Sequence, residues 1–161
     1  MADLTPDMFL KLDGIQGEST DEKHKDEIDI MSFGWVTTQG GSATTGSGTG
    51  AGKAQMNDLV VTKHVDRASP VLMSKHLSGV TLGTAVLTLR KAGGSPLDYA
   101  VLTMSNCVVT KIEHGADDGG HTEKVSIQFS AIQYDYKQQK PDGSGGPTIS
   151  SGYNASTNKV T

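Results

Sequence analysis

The sequence predicts an all-β protein, a sandwich or a barrel, that carries one short helix. Three observations support this. Six stretches alternate apolar and polar residues with the period of two that a half-buried strand requires. The segments between them are Gly-rich or contain Asp-Gly, as in "KAGGSP", "EHGADDGGH" and "KPDGSGGP". One stretch, "ASPVLMSKHLSG", breaks the alternation with helix start and stop signals. Many short strands at this spacing indicate two packed sheets or a closed one.

In chain order, "DMFLKLDGI" puts Met8, Leu10 and Leu12 on one face of a strand. In "EIDIMSFGW", Ile28 and Ile30 share one face while Met31, Phe33 and Trp35 share the other. A further strand is expected in "DLVVTKHV". The helix then spans about 69–78: Ser69 suits its N-cap, Pro70 its first position and Gly79 the position just past its end, with Lys75 and His76 in the last turn. Its apolar side would carry Leu72, Met73 and Leu77, fitted to a sheet edge or a barrel mouth. Strands follow in "TAVLTLRKA" and "DYAVLTMSNCVV". In "EKVSIQFSAIQYDY", Val125, Ile127, Phe129 and Ala131 line one face before Ile132, Tyr134 and Tyr136 take the other, which predicts a bulge or a strand buried on both sides.

Two stretches, 38–52 and 137–147, are too polar for a core and are expected to be mobile in an isolated chain. A structureless loop of about 15 residues is uncommon in a compact domain and points to contact with a partner. The first of these holds "GSGTGAGK", residues 46–53. A phosphate-cradling loop needs GxxxxGK followed by Ser or Thr, but Ser47 stands at the first glycine and Ala54 at the hydroxyl. A dinucleotide pattern laid on Gly46, Gly48 and Ala51 leads into a strand, not a helix N-terminus, so no dipole faces an anion. The run reads as a flexible connection between two strands.

The 161 residues are expected to form one domain, 1–161. The excess of 18 acidic over 14 basic side chains gives a net charge of -4 without a basic stripe, which excludes a nucleic-acid partner. The single Cys107 excludes an internal disulfide and reads as a small buried hydrophobe in its strand. The N-terminal "MADLTPDMFLKLDG" has neither a basic region nor an apolar core, so no cleavable signal peptide is expected. With no run of membrane-spanning length either, folding in the cytoplasm is the expectation, with no membrane insertion.

For metal chemistry the best candidate is "HGADDGGH", where His114 and His121 flank Asp117 and Asp118. A Gly-rich turn gives ligands no stiff support, so a solvated hairpin tip is the better reading. His24, in "STDEKHKDEID", reads as part of a solvated approach to a strand. No GxSxG elbow, HExxH helix, EF-hand loop or CxxC pair is present. Adjacent carboxylates such as Asp26 and Glu27 point apart in an extended chain. Asn154-Ala155-Ser156 matches a glycosylation acceptor that matters only in a eukaryotic secretory setting. No catalytic, cofactor-binding or metal-binding residue is assigned, and the chain is not expected to be an enzyme.

Several stretches occur together in order: "DGIQGEST" with His24, "EIDIMSFGW", "GAGKAQMNDLVVTKHVDRASPVLM", "LTLRKAGG", Thr122-Glu123-x-Val125, "YDYKQQKPDG", and the closing Gly152-Tyr153-Asn154. In this arrangement the chain resembles, nearly end to end, the tube protein of bacterial type VI secretion systems, the haemolysin-coregulated protein (Hcp) family. The resemblance implies a barrel-like packing of two antiparallel sheets with one short helix and an extended Gly-rich loop. It implies further that six copies close into a ring, that rings stack into a propelled tube, and that the lumen carries small effector proteins. Spike and sheath components of the machine would be partners, and the protein would be assembled in the cytoplasm and exported without a cleaved signal. The loop would reach a neighbouring ring or subunit. The contact candidates are Gly46, Gly48, Gly50, Gly52 and Lys53, with Tyr153 and Asn154. No appended toxin domain is expected beyond the terminal motif. The sequence departs from the family mainly in "KIEHGADDGGH".

The alternative is a monomeric β-barrel that takes a small ligand inside it. Core filling separates the two, because Ile28, Phe33, Trp35, Leu87, Leu102, Ile127 and Phe129 should pack the interior solid in a tube subunit. A hydrolase using His114 or His121 is a third, weaker reading.

Overall fold

The alternating runs pair into two antiparallel sheets that share one long strand. The computed structural model describes residues 5–40, 53–91 and 96–161. In chain order the elements are β1 (Asp7–Leu12), β2 (Ile28–Asp29), β3 (Ser32–Gly34), β4 (Thr37–Gln39), β5 (Ala54–Met56), β6 (Leu59–His64), α1 (Ala68–Ser78), β7 (Gly83–Lys91), β8 (Leu97–Asp117), β9 (Gly120–Gln128), β10 (Ala131–Gln139), β11 (Gly145–Asn154) and β12 (Lys159–Val160). The large sheet runs β12-β11-β10-β8-β7-β1-β2, and the smaller one runs β3-β6-β9-β8. β4 and β5 form a separate two-stranded ribbon.

The shared strand changes partners part-way along. Up to Ser105, β8 pairs with β10, and from Val108 it pairs with β9. Asn106 at the change has φ 56°, a left-handed conformation that Asn tolerates better than most residues. Its side-chain amide donates to Ser130 Oγ at 2.8 Å, and the Ser130 N–H donates to the Ser105 carbonyl at 3.0 Å, so the two chains turn the corner together. This corrects the reading of "EKVSIQFSAIQYDY". The reversal of faces after Phe129 is neither a bulge nor a two-sided strand, because the chain leaves the smaller sheet and enters the larger one.

Between the sheets lies one contiguous cluster that includes Leu10, Ile28, Leu59, Val61, Leu87, Leu102, Met104 and Ile127, all essentially sealed from water. Burying each such side chain contributes about 1.5–3 kcal/mol. Of the residues expected to fill the interior, Ile28, Leu87, Leu102, Ile127 and Phe129 are buried. Trp35 packs from the edge, half-buried, with its ring 6.0 Å from Phe129. Phe33 is exposed, which corrects its placement: its strand β3 is the edge strand of the smaller sheet, paired only with β6 among the described residues.

α1 closes the smaller sheet's side of β8 but starts one residue earlier than predicted. Ser69 is not its N-cap. The Ala68 N–H instead donates to Asp66 Oδ1 at 3.0 Å, and the Asp66 N–H donates to Ser69 Oγ at 3.0 Å, a reciprocal pair across the first turn. The stop is as expected, since Gly79 adopts the left-handed conformation at φ 67°. Only Leu72 of the predicted apolar side is buried, while Met73 and Leu77 face solvent, because the helix leans on β8 along the stripe of Ala68, Ser69 and Leu72.

The 38–52 stretch lies mostly outside the described residues, but strands flank it on both sides as the connection reading requires. The 137–147 stretch is a hairpin, not a mobile loop. Asp142 Oδ1 accepts from the Ser144 N–H and hydroxyl, and the Lys140 N–H donates to the Ser144 carbonyl at 2.8 Å. Polar composition here encodes a tight turn between β10 and β11.

Candidate functional site

The predicted contact residues fall into two groups. Gly46, Gly48, Gly50 and Gly52 lie outside the described residues. Lys53 is exposed at the entry to β5. Tyr153 sits in β11 opposite Ile132 of β10 and Val160 of β12. Its hydroxyl donates to Asn158 Oδ1 at 2.5 Å. The Asn154 side chain serves its own backbone, accepting from the Ser156 N–H at 2.9 Å and the Thr157 N–H at 3.2 Å, and so shapes the β11–β12 turn.

The fold places Tyr153 across a cleft from the strand that follows Lys53. A cleft of about 290 Å³ separates the β4–β5 ribbon from the β10–β12 end of the large sheet, with Ala54, Gln55 and Met56 on one wall and Ile132, Tyr134, Tyr153 and Val160 on the other. Trp35 also lines the cleft, and its buried indole N–H has no hydrogen-bond partner among the described residues. Among the described residues the lining is largely apolar and carries no charged side chain, the character of a binding surface.

The other candidates resolve into structure. His114 and His121 stand side by side on the β8–β9 hairpin with ring centroids 6.4 Å apart. Among the described residues no group of three or more His, Cys, Asp or Glu side chains could hold a metal ion. Cys107 is buried, and burial pushes its thiol up to about 11, away from the thiolate that a nucleophile needs. No helix among the described residues is long and apolar enough to cross a membrane.

Comparison with known proteins identifies the framework around this cleft. The family described as "Type VI secretion system effector, Hcp" matches residues 9–136. The chain is 40% identical over 157 residues to protein hcp1 of Pseudomonas aeruginosa, covering 94% of this chain and 96% of that one. The chain belongs to the Hcp family.

Solved Hcp structures share the whole architecture. Hcp1 from Salmonella typhimurium superposes with a TM-score of 0.83 at 34% identity, covering 98% of this chain and 100% of that one. A type VI secretion system effector from Yersinia pestis gives 0.76 at 30% identity, with 92% and 99% covered. Hcp proteins are the tube proteins of type VI secretion systems.

Two buried polar clusters in this Hcp chain escaped the sequence reading. Lys63 on β6 and Glu123 on β9 are directly paired across the strands and both fully buried. Lys63 Nζ donates to Glu123 Oε1, to Asp66 Oδ1 at 2.8 Å and to Ser69 Oγ at 3.1 Å, and the Ser69 hydroxyl donates to Glu123 Oε1 at 2.6 Å. The cluster fastens the start of α1 to the smaller sheet. Parity carried the signal: Leu59, Val61 and Lys63 share one face, as do Glu123, Val125 and Ile127.

The second cluster surrounds His24, which is buried and not part of a solvated approach. Its ring stacks on Phe9 at 4.4 Å, with Nδ1 2.9 Å from Glu27 Oε2 and Nε2 3.1 Å from Asp98 Oδ2. The Arg90 guanidinium lies 4.9 Å from the Phe9 ring and 2.7 Å from Asp21, and its hydrogen bond holds the Asp21 carboxyl down at about 2. These contacts tie the 13–27 loop onto β1, β7 and β8. The run of alternating charges around His24 concealed this, because only the folded loop brings the ring over Phe9.

Proposed function

We propose that this chain is the repeating subunit of a type VI secretion tube, in which six copies close into a ring and rings stack end to end. The lumen then holds small effector proteins until delivery. The observation that carries the reading is family membership along nearly the whole chain, joined to an apolar cleft with binding features. A ring of identical chains meets through heterologous contacts, one face of each copy against a different face of the next. The Gly-rich segment with Gly46, Gly48, Gly50, Gly52 and Lys53 serves as the reaching arm, and Tyr153 belongs to the surface beside its base. Asn154 contributes by holding the turn that presents Tyr153. Assembly takes place in the cytoplasm together with spike and sheath components, and export through the machine uses no cleaved signal.

The filled interior supports this reading over a ligand-carrying barrel, since the cluster between the sheets leaves the apolar cleft outside the core. The test is the absolute mass of the purified chain by light scattering behind a sizing column, over a range of concentration and salt. A ring of six gives six times 16.9 kDa, roughly 101 kDa. Six copies at -4 carry -24, so the mass distribution should respond to salt. Deleting residues 42–50 should weaken assembly or stacking more than monomer folding. A monomer at every concentration, indifferent to that deletion, would defeat the proposal.

A further inference from the structure

The smaller sheet carries two histidines on one side of its β8–β9 end. Directly opposed residues of an antiparallel sheet point to the same side, so this face can be followed row by row. Ile112 and Val125 are opposed and pack with the core. The next row outward is Lys63, Glu123 and His114, and beyond it Ala116 opposes His121. His114 and His121 are therefore diagonal neighbours, a relation in which Cα atoms stand about 7–8 Å apart and ring side chains can meet. Their ring centroids are 6.4 Å apart, and the His114 side chain is 47% exposed. Both belong to the paired ladder of β8 and β9, so regular strands, and not the Gly-rich turn, hold them. Behind the pair stands Glu123, whose side chain is wholly buried. Its Oε1 takes Lys63 and Ser69, while its buried Oε2 has no hydrogen-bond partner among the described residues and lies 3.5 Å from His114 Nδ1.

We infer that His114 and His121 together bind a divalent transition-metal ion of the zinc, copper or nickel class. Imidazole nitrogen suits these ions, whereas magnesium and calcium take oxygen ligands. A metal-binding histidine is oriented by a carboxylate that accepts the proton of its other ring nitrogen. Glu123 Oε2 stands in that position beside His114 Nδ1, which leaves Nε2 to supply a lone pair to the ion. Bonds of about 2.0–2.1 Å from a tetrahedral ion to two ring nitrogens set the centroids about 5 Å apart, so rotation of the two side chains has to bring the rings closer by about 1 Å. Among the described residues no third His, Cys, Asp or Glu completes the set. Water therefore fills the remaining positions, and the affinity falls below that of a closed four-ligand site. The bound ion links β8 to β9 one row beyond the Lys63 and Glu123 pair that fastens α1.

The experiment is calorimetric titration of Zn²⁺ into the unmodified chain at neutral pH, repeated with His114→Ala, His121→Ala and a control, His64→Ala. His64 is exposed on β6 and, one residue from Lys63, points to the other side of the sheet. Thermal melts without metal confirm that each variant is folded. The unmodified chain should take one ion, and its melting midpoint should rise as Zn²⁺ is added, since the ion binds the folded hairpin. His114→Ala and His121→Ala should each weaken binding by at least about tenfold and remove the rise, while His64→Ala binds as the unmodified chain does. Mg²⁺ at the same concentration should give no binding heat. A dissociation constant above about 1 mM for the unmodified chain would overturn the inference. Binding that survives both substitutions, or that falls with His64→Ala, would place the ion elsewhere and overturn it too. Loss in only one of the two hairpin variants would reduce the site to a single surface histidine, which also defeats the paired site.

Discussion

Replacing Lys63 by Met should cost this protein about 3–5 kcal/mol. Met keeps the length and most of the volume of the side chain but removes the ammonium, which makes three contacts in a site closed to water. Glu123 is left with the Ser69 hydroxyl on Oε1, while its Oε2 has no hydrogen-bond partner among the described residues and lies 3.5 Å from His114 Nδ1. A buried carboxylate stripped of its counter-charge is the expensive outcome, and breaking such a pair typically costs this amount. In a chain of this length 1 kcal/mol moves the melting midpoint by roughly 2–4 °C, so a drop on the order of 10 °C is expected. The double variant Lys63→Met with Glu123→Leu should recover most of that loss, because two apolar residues replace the pair and Asp66 still holds the Ala68 N–H. Denaturant melts of the four proteins of the cycle, at one fixed concentration so that assembly does not bias them, give the coupling directly. Hydrogen exchange should also quicken in the first turn of α1, whose Ser69 and Asp66 lose their shared donor. A single-variant loss below about 1 kcal/mol, or a double variant costing the sum of the singles, would refute the assignment of the cluster as a fastening for the helix.

Three further outcomes are expected. Gly17→Ala should destabilise by roughly 1–3 kcal/mol or more, because a Cβ there would sit 2.4 Å from the Glu27 carbonyl oxygen and 2.6 Å from the Ile28 Cα, and backbone cannot step aside; an unchanged melt would contradict that packing. Asp29 has its carboxyl raised above the ordinary range by burial first and then by the negative charges of Asp66, Asp21, Asp7 and Glu18. A folded-state value above the unfolded one means that ionisation costs stability at higher pH, so Asp29→Asn should raise the melting midpoint at pH 7 and lose that gain as pH falls below about 4. Equal effects at pH 3 and pH 7 would count against it. The Cys107 thiol, pushed up to about 11 mainly by burial, should react with a disulfide reagent at pH 8 only as fast as the protein opens, so rapid labelling of the native chain would be the contrary result.

Much of the fold was legible because alternation is a local property. Met8, Leu10 and Leu12, or Leu59 and Val61, announce their shared face whatever lies above it. Gly79 stops the helix where predicted because the left-handed position is a local demand. The start was misplaced because Ser69 spends its hydroxyl on Lys63 and Glu123, neighbours distant in sequence. The sheet switch at Phe129 left a visible trace, the change of parity before Ile132, but its cause depends on the corner at Asn106, more than twenty residues earlier. The cleft was not legible, since its two walls come from segments far apart in the chain, residues 54–56 and 132–160.

The sequence by itself determined the period of each strand, the turns between them and, through the ordered motifs, the family. Those are consequences of local sterics and of residue identity, and they need no knowledge of neighbours. Only the tertiary structure decided what covers each face. Leu102 and Ile149 belong to the same side of the same sheet, both in alternating strands, but one is sealed in the core and the other is open to water. The difference lies in position within the sheet, since Leu102 stands on the shared strand β8 inside the core cluster and Ile149 on β11, next to the terminal β12. Side-chain periodicity states which residues share a face, and burial depends on the layer opposite, which the chain builds only by folding.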